Sequence, residues 1–171
     1  PKGQDILFSE DRVQQGRNFC NKLWNAARFR QMSDSGDGSG PRSLESIIAR
    51  LDVSRFDADD HAILARLAET LDQYEKLLDA YEFNAVTQLL YGFFWNDFCD
   101  WYVEVSKAKL QTPELKKNCL AIQDLCLRQM LLMLHPFTPF ITEQLWHDLG
   151  FAEEAEKGKV SGSSPWFIQN V

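Results

Sequence analysis

The sequence predicts an all-α fold, an antiparallel bundle of four to five main helices. Three observations carry this. Apolar residues recur at steps of three and four along most of the chain, and no convincing alternating strand interrupts them. Helix starts of one kind occur twice, as Thr112-Pro113 and Thr138-Pro139. Breakers such as SDSGDGSGP at 33–41 and Gly150 fall between the periodic stretches rather than inside them.

The elements follow in order. Residues 10–32 contain no proline and read as the first helix, with Ser9 as a possible N-cap. The Ser/Asp/Gly/Pro run after it reads as a flexible loop, and a short helical turn is expected around Leu44–Leu51. A long helix is expected from about Asp59 to Tyr81, with Leu64, Leu67, Leu71, Tyr74, Leu78 and Tyr81 as one apolar stripe. Asn84 is the expected N-cap of a helix over about 85–110. That helix places Phe93, Phe94, Trp95, Phe98, Trp101 and Tyr102 at core spacing, with Gly92 inside it at a cost of about 1 kcal/mol relative to alanine. Thr112 and Pro113 open the next helix, which runs to Leu134 and is closed by His135-Pro136. The last helix runs from about Pro139 to Leu149 and ends at Gly150. These helices form one domain over 1–150, with a flexible loop at 33–43. Residues 151–171 read as a loose tail or a truncated junction.

Composition narrows the function. The chain has 171 residues with 18 basic and 25 acidic side chains, a net charge of −7 that argues against a globally basic nucleic-acid binder. The charge is uneven, however. Residues 1–32 carry six basic against three acidic groups, and residues 33–171 carry 12 against 22. No apolar run approaches the ~18 residues of a membrane span, so a soluble, intracellular protein with no membrane partner is expected. Cys20, Cys99, Cys119 and Cys126 form no Cys-x-x-Cys pair and read as ordinary buried thiols. His61, His135 and His147 are not spaced as ligands, there is no phosphate loop, and no nucleophile sits beside a base. No catalytic residue and no metal site is expected.

On a helical wheel, residues 10–32 place Val13, Gly16, Cys20, Leu23, Trp24 and Ala27 on one arc, the expected buried face. Opposite lies a stripe of Asn18, Lys22, Asn25 and Phe29, with Arg17 and Arg28 at its edge. Two readings are open for Phe29. It packs on the loop 33–43 or a neighbouring helix, or it stacks on an unpaired base while the amides read base edges and the cations hold phosphates.

The residues themselves narrow this choice. GQDI at 3–6, GRNFCNKLWNAARF at 16–29, YEFNAVTQLLYGFFWNDFCDWYVEVSKAKL at 81–110 and LHPFTPFITEQLWHDLG at 134–150 resemble the anticodon-binding helical domain of class I aminoacyl-tRNA synthetases. The first and third stretches look specifically like the valyl members, and NKLWNAARF separates these from the isoleucyl, leucyl and methionyl ones. The resemblance implies a bundle that binds the anticodon loop of valine tRNA. It implies a cytoplasmic parent enzyme that uses ATP and Mg to charge tRNA with valine, through a catalytic domain of the same parent chain. The catalytic signatures of that domain are absent here, so the chain is expected to be an excised, non-catalytic fragment with no cofactor of its own. By the same resemblance Phe29 is the stacking candidate, and Arg12, Arg17, Lys22 and Arg28 are candidates for phosphate or base contacts; Asn18 and Asn25 join them as tRNA-binding candidates from the wheel. Leu7 departs from a family position that is often basic. The remaining alternatives are the same domain from another class I synthetase and a helical protein-interaction module.

Overall fold

One helix forms the mast of the bundle: fourteen of the 22 residues of α6 (Pro113–Leu134) are buried. Around it pack α1 (Glu10–Met32), α2 (Leu44–Ala49), α3 (Ala58–Asp79), the rod of α4 (Phe83–Gly92) and α5 (Val103–Leu110), and α7 (Pro139–Asp148). A single 3-10 turn, Val53–Arg55, lies between α2 and α3. The computed structural model describes residues 9–33 and 42–151. The flexible loop expected at 33–43 and the tail at 151–171 lie almost wholly outside the described residues. No strand occurs among the described residues, and the all-α bundle stands.

Local chemistry explains most boundaries. α3 starts with a reciprocal capping box: the Asp57 side chain accepts from the Asp60 N–H, and the Asp60 side chain accepts from the Asp57 N–H. Pro113 and Pro139 occupy first-turn positions as expected, but neither Thr112 nor Thr138 makes a side-chain cap. α7 ends in a Schellman motif. Gly150 is left-handed at φ 73, its N–H donates to His147 O, and the Phe151 N–H donates to Trp146 O. The accompanying apolar contact is Phe151 against Trp146, centroids 5.3 Å apart.

Four expectations need correction. Tyr81 leaves the α3 stripe: it follows the helix end, takes φ 58, and is 79% exposed. The stripe instead centres on Ile63 and Leu67, with Leu64, Leu71, Tyr74 and Leu78 partly buried beside it. The next helix starts at Phe83 after Glu82, so Asn84 lies inside its first turn and its carbonyl accepts from Thr87 Oγ1 instead of Asn84 acting as the cap. Third, the rod is not α-helical throughout, because Phe93–Tyr102 is π-helical. The burial pattern fits that period: Phe93 and Phe94 are followed five residues later by Phe98 and Cys99. Trp95 and Trp101 fall outside these pairs and stay half-buried, so four of the six expected aromatics reach the core. Gly92 precedes the wider turns, and a Cβ there would meet nothing within 4 Å, so close helix contact does not explain it.

The fourth correction concerns α1, whose bounds are as expected. Its buried side is Leu23, Ala27 and Arg30, with Phe19, Cys20 and Ala26 partly covered. Val13 is 58% and Trp24 42% exposed, and every residue from 10 to 18 is exposed. The first turns therefore project past the bundle. The buried arc rotates toward Arg30 because Arg30 is drawn inward to Asp124 of α6. Its Nε lies 2.8 Å from Oδ1, and its Nη2 donates to Oδ2 at 2.8 Å. Arg50 donates to the same carboxylate at 3.0 Å, and Arg42 lies 3.8 Å from it. A second polar knot joins α3 to the rod: Lys109 Nζ donates to Asp57 and Asp60, each at 2.7 Å, and the Tyr102 hydroxyl donates to Asp60 at 2.8 Å. Both knots satisfy buried charge with partners from distant sequence.

Candidate nucleic-acid interface

The described face of α1 that points away from Leu23 carries the site residues in three groups. Phe29 is half-buried and outside the core. It forms one wall of a groove of about 540 Å3, with Met32 and Ser33 beside it and Lys107, Leu110, Gln111 and Lys116 across it. The groove therefore joins a ring face, an aliphatic wall, an amide and two lysines, which suits a base with its phosphate. Asn25 is exposed on the same flank, and Asn18 accepts from Gln14 Nε2 at 2.9 Å.

Lys22 is turned toward the body. Its Nζ donates to Asp100 Oδ1 at 2.6 Å and sits 4.7 Å from the centroid of the Trp95 ring. The hydrogen bond to Asp100 raises its pKa above the usual lysine value, against the opposing effect of burial. Tyr91 stacks on Trp95 at 5.2 Å, and Phe19 continues the ladder at 5.6 Å from Tyr91.

Arg17 and Arg28 are exposed on the opposite flank of the helix. Arg28 borders a hollow of about 240 Å3 with Trp24, Gln31, Leu145 and Asp148. Arg12 is exposed on the projecting turns, at the edge of a mainly apolar groove of about 680 Å3. Phe19 and Tyr91 line that groove, as do Leu134 and Phe137. The structure thus brings Asn25 and Phe29 together on one side and Arg17 and Arg28 on the other, with Arg12 apart from both.

Sequence reasoning missed several residues here. Lys107, Gln111 and Lys116 reach the Phe29 groove from the α5–α6 corner, 78 or more positions along the chain, and no local pattern announces that. Trp24 stands outside the buried arc. Arg30, counted among the basic residues of the segment, is internal and neutralised. Among the described residues no group of three or more His, Cys, Asp or Glu could hold a metal ion, and no helix is long and apolar enough to cross a membrane.

The fold defines the class as an all-α helical-bundle domain, one outer helix of which carries exposed arginines and a grooved aromatic ring. Residues 60–170 match the family described as the anticodon-binding domain of tRNA ligase, and the chain belongs to that family. It is 39% identical over 155 residues to the valine--tRNA ligase of Anoxybacillus flavithermus, covering 86% of this chain and 16% of that protein. It is 40% identical over 155 residues to that of Bacillus subtilis, with the same coverage. With the enzyme of Treponema pallidum it shares 39% over 150 residues, 86% of this chain and 15% of that one. The chain therefore spans about one-sixth of the length of these relatives.

Proposed function

We propose that this domain captures the anticodon loop of valine tRNA on behalf of a valine--tRNA ligase. The observation that carries the reading is the Phe29 groove: a half-buried ring facing Lys107 and Lys116 on the flank of a helix whose Arg12, Arg17 and Arg28 point outward. Paired A-form RNA hides its base edges from side chains, so discrimination requires unstacked loop bases, and a ring in an open groove is what such a base stacks on. In this reading Phe29 stacks, Asn18 and Asn25 meet base edges, and Arg12, Arg17 and Arg28 hold phosphates. Lys22 contributes only by leaving Asp100.

The remainder of the reading concerns the parent chain. ATP and Mg are bound by its catalytic domain, in the cytoplasm, and no residue described here is assigned to them. The apolar groove beside the projecting turns of α1 is assigned to that catalytic body. What supports this is the lining of the groove, where Phe19, Tyr91, Leu134 and Phe137 come together beside the exposed turns.

The test is Phe29→Ala in a binding titration with the anticodon stem-loop of valine tRNA. One stacked base is worth about 1–3 kcal/mol, so affinity should fall about 5- to 150-fold. The fold should persist, because Phe29 lies outside the core. Undiminished affinity in a folded variant overturns the reading.

A further inference from the structure

Trp24 is the most exposed of the four tryptophans described, at 42%, although it lies in the middle of a helix packed on three others. Its surroundings are specific. The hollow beside it has Leu145 as a second apolar wall and Arg28 one helical turn away. It also holds Asp148, whose position is fixed twice: its main-chain carbonyl accepts from Gln31 Nε2 at 2.7 Å, and its Oδ1 accepts from Gln144 Nε2 at 2.9 Å.

We infer that this hollow is a second base site, taking an unpaired base of the same RNA loop that carries an exocyclic amine. The inference rests on the anticodon-loop reading of Phe29. The carboxylate decides the chemistry. It repels a phosphate, so the ligand in the hollow is not backbone; it accepts hydrogen bonds, so it favours adenine, cytosine or guanine, whose exocyclic amines donate, over uracil, whose one ring N–H donor is flanked by two carbonyls that the carboxylate repels. The indole supplies the stacking face, and Arg28, at the rim, meets the phosphate of the same nucleotide.

Position on the helix links the two sites. At about 100° per residue, Trp24 and Phe29 stand on opposite flanks of the outward face, with Asn21, Asn25 and Arg28 between them. A single strand laid across those three residues touches both rings. α1 would then be read from both sides, with its polar outer face as the floor.

The experiment compares the 171-residue chain with Trp24→Ala, Asp148→Asn and Phe29→Ala. It titrates the anticodon stem-loop and a set of loops carrying uridine at one position at a time. Circular dichroism confirms folding of each variant. The inference expects Trp24→Ala to bind about 5- to 150-fold more weakly. It also expects one loop position at which uridine weakens the wild type but is tolerated by Asp148→Asn, whose amide can donate to a uracil carbonyl. If Phe29→Ala weakens binding and Trp24→Ala does not, the second site is overturned while the anticodon reading stands. If neither variant weakens binding, both fall. If Trp24→Ala weakens binding but Asp148→Asn leaves every base preference unchanged, the amine-selective site is overturned.

Discussion

Removing the Asp124 carboxylate tests whether the bundle's buried ion cluster fixes α1 to the mast. Asp124 is fully buried and faces Arg30, Arg42 and Arg50, whose side chains are 1%, 11% and 26% exposed. These exposures decide the magnitude. In Asp124→Ala, Arg42 and Arg50 can turn their guanidinium groups toward water at little cost. Arg30 cannot, because it is enclosed by the helices it joins. The variant therefore breaks a buried ion pair, which costs about 3–5 kcal/mol, against about 0–1 for an exposed pair. For a chain of this length each kcal/mol lowers the melting temperature by about 2–4 °C, so the expected drop is about 6–20 °C. Urea and thermal denaturation followed by circular dichroism read this directly. The double variant Arg30→Met/Asp124→Leu should recover most of the loss, since an apolar pair of similar volume often replaces a buried ion pair without penalty. A loss below about 1 kcal/mol in Asp124→Ala, or no recovery in the double variant, would refute the reasoning.

Two further predictions concern charge. Burial pushes the Asp57 carboxyl up, but hydrogen bonds from Lys109 and the Asp60 main chain outweigh it and hold it below 3.8. Burial likewise works against the Lys109 ammonium, but its bonds to Asp57 and Asp60 hold it above 10.5. A depressed carboxyl loses its stabilisation as pH falls through its folded pKa, and a raised amine loses its own as pH rises through the folded value. The melting-temperature gap between wild type and Lys109→Met should thus be widest between about pH 4 and 10 and narrow on both sides; a gap independent of pH would sink this account. In RNA binding, Arg17→Ala should lower the salt slope by about 0.7–0.9, the worth of one phosphate contact. Lys22→Ala should change it far less, because Asp100 already compensates that charge; equal changes would mean that Lys22 leaves Asp100 on binding.

What was legible in the sequence is what short-range chemistry decides. The α1 bounds, the prolines at the starts of α6 and α7, the glycine stop at 150 and the inward thiols of Cys119 and Cys126 all follow from residues within a few positions of one another. Both of those thiols are buried, and burial pushes their pKa values up. What was not legible is set by partners far along the chain. The wheel for α1 ranked residues by hydrophobicity, placed Trp24 inside and left Arg30 out of the buried arc. Asp124, ninety-four positions later, reverses that order, because a paired guanidinium can be buried and the helix then rotates about it. The π-helical turns escaped for a related reason. Residues five apart in an aromatic-rich stretch look core-forming under either period, and only packing against α3 and α1 chooses the wider one. The Phe29 groove was half legible: the ring was marked, but its opposite wall comes from the α5–α6 corner.

This redistribution changes what the net charge means. Six cations lie within residues 1–32, a count that suggested a basic helix on an acidic body. Of those described, Arg30 is consumed by Asp124 and Lys22 by Asp100, which leaves Arg12, Arg17 and Arg28 outward. The lysines facing Phe29 belong to the acidic part of the chain. The basic surface is therefore composite, assembled by folding from two segments neither of which is strongly basic where it meets solvent. A composite patch has a consequence that a linear one lacks: its charges converge only when α1 is docked on α6. The same Arg30–Asp124 contact that holds the helix sits one residue from the Phe29 ring, so under the proposed function stability and recognition share an anchor. On the same proposal, acidic surface elsewhere opposes stray RNA by like-charge repulsion, and selectivity for a loop of defined shape follows from where the few outward cations stand rather than from how many there are.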